Sequence, residues 1–219
     1  MAWLYLSVSI IIGYLLGSIS VSVLLSKFVF KGDVRNFGSG NAGATNMARV
    51  YGAKGGVIVL LGDFLKAIIA CILALLIAPS EYTEICILSV GVACLVGHAF
   101  PVFFGFKGGK GVTVGAAVAL MIDWKALLFI FIVFVIVFIF THIVSISSIL
   151  SGVGLIVITL LFYLFNLCGV GGNFFANFTV EKMVLALFAG VFVIWLHRAN
   201  IVRLLQGEEK KFAFKKKSK

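Results

Sequence analysis

The chain has 219 residues, of which 62% are hydrophobic and 12% charged, and its mean hydropathy is +1.20. A soluble globular domain carries about a quarter charged residues, so this composition excludes one. Seven spanning helices of about 20 residues each would fill most of the chain and leave no room for a separate soluble domain. The net charge of +10 would suggest nucleic acid in a soluble protein, but here it must first be tested as a signal of membrane topology.

Apolar segments recur along the chain and predict about seven membrane helices. The first segment lacks the positively charged start of a cleaved signal peptide and is predicted to be a retained helix. Residues 126–180 contain no Asp, Glu, Lys or Arg, and polar residues in the middle of this stretch divide it into two helices. The predicted helices cover residues 3–26, 56–78, 85–103, 112–122, 126–140, 147–167 and 183–196.

The basic residues predict how the chain crosses the membrane. With the N-terminus outside, 15 of the 18 Lys and Arg residues fall on the cytoplasmic side, and only Lys66, Lys125 and Lys182 do not. Because orientation follows Lys and Arg, we expect an all-α polytopic membrane protein, a bundle of about seven transmembrane helices with the C-terminus cytoplasmic. Residues 1–209 are expected to form a single transmembrane domain. The basic cytoplasmic tail, residues 210–219, is expected to touch anionic lipid and not nucleic acid, because no hydrophilic domain is available to shape a nucleic-acid groove.

Two shorter patterns within the apolar segments predict helix packing. Gly13 and Gly17 have the spacing that lets two membrane helices approach closely. Asp63 and Lys66 stand three residues apart, so they can pair on one helix face and lower the cost of their burial. The four cysteines are predicted to be small buried hydrophobic residues, and no cluster of carboxylate and His residues has the spacing of metal ligands.

Three polar stretches lie on the same predicted face, and the first runs over residues 33–49. Its glycines let the backbone turn tightly, and its polar side chains can bind a polar ligand. These side chains are Ser39, Asn41, Thr45 and Asn46. The alternative is an ordinary connecting loop, and Arg49 is either a topology charge or a ligand for an anion.

The second polar stretch is a glycine-rich loop over residues 105–111, directly before a short apolar helix. Exposed backbone amides, the positive end of the helix and two lysines suit a phosphate group. The residues concerned are Gly108, Gly109, Gly111, Lys107 and Lys110. The spacing is not that of a nucleotide-binding P-loop, since Lys110 stands where a glycine is required. The alternative is a glycine-rich turn with two lysines that only set topology.

The third polar stretch follows the last apolar segment. His197, Asn200 and Arg203 recur at every third position and would lie near one face of a helix. A single His at a membrane interface is often only a polar anchor. Because His197 is grouped with an amide and a guanidinium, a functional site and a polar anchor are equally favoured interpretations.

Residues 38–46, 97–111 and 197–204 closely resemble the three signature regions of the bacterial acylphosphate:glycerol-3-phosphate acyltransferases of the PlsY type. The resemblance extends over residues 14–209. It implies that a fatty acyl group moves from acyl phosphate to the sn-1 hydroxyl of glycerol 3-phosphate, which gives lysophosphatidic acid and phosphate. It also implies a multi-pass protein of the bacterial cell membrane with its site on the cytoplasmic side, no cofactor, and the enzyme that produces acyl phosphate as an upstream partner.

The resemblance also assigns roles to individual positions. Ser39, Arg49 and Ser145 would contact substrate oxygens, and the loop over residues 107–111 would surround a phosphate. His197 and Asn200 would polarise or orient the substrates. The remaining positions carried over as substrate-binding are Asn41, Asn46, Arg203 and Glu209. The base stays open, because either His197 or the phosphate of the donor can accept the hydroxyl proton. The alternative function is a membrane transporter of small organic phosphates.

Overall fold

The computed structural model describes residues 1–212, and these form ten α-helices and no β-strand. Most of the predicted basic tail therefore lies outside the described residues. The helices are, in chain order, α1 (Ala2–Gly17), α2 (Val21–Phe28), α3 (Ala44–Tyr51), α4 (Ala53–Ile77), α5 (Thr83–Ala99), α6 (Val112–Ile122), α7 (Trp124–Thr141), α8 (Val144–Leu167), α9 (Val180–Leu196) and α10 (Arg198–Leu205).

The structure confirms the all-helical class, but not seven complete spans. Within residues 1–212, five segments are long and apolar enough to cross a membrane, and α9 with α10 makes a sixth if this pair, bent by 56°, is one span. Helix α6 has only 11 residues, so it extends about 16 Å and cannot cross a hydrocarbon core of about 30 Å alone. It is enclosed by longer helices, because its inward side chains, such as Val114 and Val118, are fully buried.

The first predicted helix is interrupted, contrary to the expectation of one continuous segment. The chain leaves the helical path at residues 18–20 and starts again as α2. The carbonyl of Ile19 is thereby released from helical pairing and accepts a hydrogen bond from Lys66 Nζ at 2.8 Å. The hydroxyl of Ser18, which is fully buried, accepts a hydrogen bond from the Val102 amide at 3.3 Å. The break thus supplies polar partners inside the bundle.

The predicted pairing of Asp63 and Lys66 is confirmed, with Lys66 Nζ 2.8 Å from Asp63 Oδ1. His98 on α5 joins this pair, since its Nδ1 lies 3.0 Å from Lys66 Nζ. An ammonium group can only donate hydrogen bonds, so Nδ1 accepts from it and the ring hydrogen resides on Nε2. This buried cluster connects the break after α1 with α4 and the end of α5.

The glycine spacing on α1 has the predicted consequence. A Cβ at Gly13 would stand 2.6 Å from the carbonyl oxygen of Val90 on α5, and one at Gly17 would collide with the backbone of Cys94. A Cβ at Gly97 on α5 would in turn collide with the carbonyl of Tyr14. Helices α1 and α5 therefore pack backbone to backbone, which fixes the position of the α5 C-terminus beside the polar loops.

Candidate active site

A polar pocket of about 390 Å³ lies at the end of the bundle where α6 and α8 begin. The loop before α3, the N-terminus of α6, the start of α8, and α10 with the segment after it form its walls. Residues that sequence analysis singled out from all three polar stretches meet here. Those that line the pocket are Ser39, Asn41, Asn46, Arg49, Lys110, Gly111, Ser145, His197, Asn200, Arg203 and Glu209.

Asn46 holds the first polar loop in its conformation. Its side chain is 2% exposed, and its Nδ2 donates to the carbonyls of Val34, Phe37 and Asn41 at 3.0–3.1 Å. Its Oδ1 accepts from the amide of Ser39 at 2.9 Å. The predicted role of Asn46 in direct binding needs correction, because these backbone groups occupy the amide. Asn46 shapes the loop that presents Ser39 to the pocket.

Lys110 supplies a positive charge that is only partly exposed to water. Its Nζ donates to Asn200 Oδ1 at 2.6 Å, and no carboxylate among residues 1–212 forms an ion pair with it. Burial lowers the pKa of Lys110 to about 8, and the nearby cations Arg203 and Arg49 act in the same direction, while Glu209 opposes them. This ammonium group is therefore charged at neutral pH and has room for an anionic partner.

Glu209 connects the start of α8 with α10 at the wall of the pocket. Its Oε1 accepts from Ser145 at 2.8 Å and from Asn200 Nδ2 at 2.6 Å, and its Oε2 accepts from Arg203 Nε at 2.7 Å. Burial alone would raise the pKa of Glu209, but these hydrogen bonds and the Arg203 charge keep it below the ordinary value. The carboxylate stays ionised and orients the Asn200 amide, so that the amide oxygen faces Lys110.

His197 occupies the bend between α9 and α10 and is 2% exposed. Its Nδ1 lies 2.8 Å from the carbonyl oxygen of Val193. A carbonyl only accepts, so Nδ1 carries the hydrogen and Nε2 of the neutral ring is left as an acceptor. This tautomer suits a ring that receives a proton or orients a hydroxyl group.

Two further features add positive charge to the pocket. Arg49 lines the pocket and makes no ion pair with any carboxylate of residues 1–212. The first turn of α6, with Gly111 as its N-cap, also faces the pocket through Val112 and Thr113. The first amides of a helix have no partner within the helix and carry a partial positive charge.

Three of the five residues predicted to form the phosphate cradle do not line this pocket. The amides of Gly108 and Gly109 donate to the carbonyls of Ala99 and His98, each at 3.1 Å, so they complete the C-terminus of α5. Gly108 and Gly109 do not line the pocket, and a Cβ on Gly109 would collide with the His98 ring. Lys107 is exposed outside the pocket. Only Lys110 and Gly111 of this loop reach the site.

Arg35 connects the first two polar loops and was not singled out from the sequence. It pairs with Asp33 at 2.8 Å, and its Nη1 donates to the Phe104 carbonyl at 2.6 Å. The hydrogen bonds from Arg35 lower the pKa of Asp33 to about 2. The only signal in the sequence was the short spacing of Asp33 and Arg35, which is typical of many surface ion pairs.

Sequence reasoning also missed several polar residues that line the pocket. They are Asp63, His98, Thr113, Ser148 and Lys210. Thr45, which was singled out from the first polar stretch, also lines the pocket. Asp63 was predicted only as a structural partner, and Lys210 only as part of the lipid-facing tail. His98 lies within an apolar segment and Ser148 within a polar turn, so neither stood out from its neighbours. Their convergence depends on the packing of α4, α5, α6 and α8, which no local pattern reveals.

An apolar groove of about 480 Å³ continues from the polar pocket between α4, α6, α7, α8 and α9. Five residues line both cavities, and they are Leu60, Val112, Thr113, Phe134 and Ser148. Small residues of α6, Gly115 and Ala116, form part of the groove. A cationic polar pocket thus opens directly into an apolar channel that faces the lipid side of the bundle.

Comparison with known proteins agrees with this geometry. A family model described as glycerol-3-phosphate acyltransferase matches residues 7–207. Glycerol-3-phosphate acyltransferase 2 of Bacillus anthracis is 39% identical over 205 residues, which cover 93% of this chain and 97% of the relative. The glycerol-3-phosphate acyltransferase of Aquifex aeolicus is also 39% identical over 205 residues, with the same coverage.

Two solved structures share the fold. The crystal structure of PlsY, an integral membrane glycerol 3-phosphate acyltransferase, in its glycerol 3-phosphate form superposes with a TM-score of 0.79 at 35% identity, covering 95% of this chain and 96% of that one. Its lysophosphatidic acid form gives a TM-score of 0.76 at 36% identity, with 95% of each chain covered.

The fold and the pocket define a multi-pass membrane protein with a cationic polar pocket beside an apolar groove. With the family match over most of its length and relatives of 39% identity, the chain belongs to the glycerol-3-phosphate acyltransferase family. This assignment favours an enzyme of phospholipid synthesis over the transporter alternative.

The role of Asn46 in shaping the loop gives the first prediction. Asn46→Asp keeps the shape of the side chain but removes the donors that serve three carbonyls, and it buries a charge. We expect a loss of about 2 kcal/mol or more in the free energy of unfolding and strongly reduced acyltransferase activity. Melting in detergent and product formation measure the two effects.

Asn36→Asp is the matched control, because it makes the same change at an exposed position of the same loop. We expect it to keep wild-type stability and activity. An Asn46→Asp protein as stable as the Asn36→Asp protein would contradict the structural role of Asn46.

Proposed function

We propose that this chain transfers a fatty acyl group from an acyl phosphate to the sn-1 hydroxyl of glycerol 3-phosphate, releasing phosphate and lysophosphatidic acid. The observation that carries the proposal is the direct continuity of the cationic pocket with the apolar groove. One substrate is small and doubly anionic, and the other joins a phosphate to a long apolar chain. The acyl chain would lie in the groove, and both phosphates would lie in the pocket.

The charges in the pocket fit two phosphate-bearing substrates. Arg49, Lys110 and the first turn of α6 would hold phosphate oxygens, because they present positive charge without a carboxylate partner. The hydroxyl of Ser39 would donate to a substrate oxygen. Arg203 and Ser145 are already engaged by Glu209, so they would act by positioning the wall of the site.

The reaction itself needs little from the protein beyond alignment. The glycerol hydroxyl oxygen forms a bond to the acyl carbonyl carbon, and the bond from that carbon to the phosphate oxygen breaks. Phosphate is a good leaving group, so holding the reactants in line and stabilising charge on the carbonyl oxygen are the main tasks. Two acceptors are available for the hydroxyl proton, namely Nε2 of His197 and an oxygen of the donor phosphate.

The proposed topology places this site on the cytoplasmic side. The N-terminus would lie outside, and α6 would enter the bundle from the cytoplasmic end without completing a span. Residues 1–209 would form one transmembrane unit, with the basic residues 210–219 near anionic lipid. A donor of this kind requires an upstream enzyme that makes acyl phosphate, and water-soluble glycerol 3-phosphate would enter from the cytosol.

The donor assay tests the proposal directly. Purified protein is mixed with glycerol 3-phosphate and either acyl phosphate or acyl coenzyme A, and phosphate release and lysolipid formation are followed. We expect turnover with acyl phosphate alone. Lys110→Met should lower activity by about tenfold to a hundredfold, because a charged contact to phosphate is lost.

Lys54→Met is the control for this variant, since Lys54 is exposed near the same end of the bundle and outside the pocket. It should retain wild-type activity. Comparable turnover with acyl coenzyme A would refute the assigned donor, and equal activity of the two lysine variants would remove Lys110 from the site.

The pKa of Lys110, lowered to about 8, predicts the pH dependence of substrate capture. Lys110 is protonated below this pH and loses its charge above it, so kcat/KM for the anionic substrates should fall as the pH rises through about 8. A guanidinium stays charged in this range, so Lys110→Arg should remove the decline. The ratio of kcat/KM at pH 7 and pH 9 measures the effect, and an unchanged ratio in Lys110→Arg would exclude Lys110 as its source.

The orientation is tested with single cysteines in a background that lacks the native ones. Cysteines replacing Asn36 or Ser39 should be protected from an impermeant thiol reagent in intact cells. Cysteines replacing Ser80 or Asn173, which are exposed at the other end of the bundle, should be labelled. Labelling of position 39 but not of position 80 would reverse the proposed topology.

A further inference from the structure

The apolar groove has a defined far end. Helix α7 runs along it from Trp124 to Phe134, and Phe134 also borders the polar pocket. The ten residue steps from Trp124 to Phe134 span about 15 Å along the helix axis. Trp124 is the first residue of α7 and lies at the end of the groove away from the pocket.

The groove is open to the side between α4 and α7. Phe131 is 59% exposed and Leu60 46% exposed, so an acyl chain can enter laterally from the bilayer between α4 and α7. The small residues of α6 leave depth for that chain, since a Cβ at Gly115 would meet only Val193, at 3.5 Å. Trp124, which is 59% exposed, carries the largest side chain among the residues that line the groove.

An ion pair and a second aromatic ring lie beside Trp124 at this end of the groove. Lys125 Nζ lies 5.6 Å from the centroid of the Trp124 ring, pairs with Asp123 at 3.0 Å and stands 4.7 Å from the Phe174 ring. A cation over an aromatic face is attracted to it, which restrains the indole.

We propose that Trp124 sets the acyl-chain length that the enzyme prefers, as the stop at the far end of the groove. The inference rests on the proposed function, since it assigns the groove to the acyl chain of the donor. Chains that end before Trp124 pack fully within the groove. Longer chains must bend out into lipid or displace the indole, so their productive alignment at the polar pocket is weaker.

The test compares kcat/KM across a series of saturated donors from dodecanoyl to icosanoyl phosphate. Trp124→Ala should shift the preferred donor to a longer chain. The ratio of kcat/KM for donors longer than the wild-type optimum to kcat/KM for the optimal donor should rise by about tenfold. This is the lower end of the range over which apolar pockets discriminate substrates that differ by one methylene group. Leu128→Trp puts a large ring one turn, about 6 Å, nearer the polar pocket. It should shift the preference to shorter chains.

Both substituted positions face the lipid side, Trp124 being 59% and Leu128 49% exposed, so the variants are expected to fold. Trp3→Ala is the matched control, because Trp3 is 80% exposed on α1 and does not line the groove. It should leave the chain-length profile unchanged.

The outcomes separate the two proposals. Wild-type, Trp124→Ala and Leu128→Trp proteins that turn over acyl phosphates with one common profile would overturn the role of Trp124 and leave the proposed function standing. No turnover of any acyl phosphate by the wild-type protein would overturn both. Opposite shifts in the two variants, with none in Trp3→Ala, are the expected result.

Discussion

The buried ammonium of Lys66 is the constraint around which the bundle is organised. A charged side chain within a membrane segment costs several kcal/mol unless partners replace its hydration. Lys66 obtains three such partners, the carboxylate of Asp63, Nδ1 of His98 and the carbonyl of Ile19. The last is available only because the first membrane helix breaks before α2. The interruption of that helix therefore helps to stabilise the charge of Lys66 on α4.

The same cluster positions the site. His98 belongs to the last turn of α5, and its carbonyl accepts the amide of Gly109, so the glycine loop folds back onto α5 just before α6 begins. This return places Gly111 and the first turn of α6 at the pocket and directs Lys110 toward Asn200. Glu209 then fixes Asn200 from the opposite side. In the proposed reaction, an anionic substrate would meet the Lys110 ammonium already positioned by its hydrogen bond to Asn200, which would reduce the reorganisation that catalysis requires.

The sequence predicted what depends on local pattern and missed what depends on packing. Apolar runs located the helices, and the spacings of Gly13 with Gly17 and of Asp63 with Lys66 predicted contacts that the structure contains. Composition alone cannot show that the first apolar segment breaks at residues 18–20, where the Ile19 carbonyl accepts a hydrogen bond from the buried Lys66. In the same way, the glycines at 108 and 109 looked like a phosphate cradle because nothing local showed that the end of α5 would use their amides.

The arrangement of one polar pocket beside one apolar groove resolves a physical conflict between the two proposed substrates. Glycerol 3-phosphate is stable only in water, and a long acyl chain is stable only in lipid, so their reacting groups meet only near the boundary. A complete span at α6 would carry its N-terminus to the membrane surface and separate the pocket from the groove. Because α6 has only 11 residues and starts within the bundle, its positive end and its small side chains serve both cavities, and the reacting groups can meet at Thr113 and Ser148, which line both.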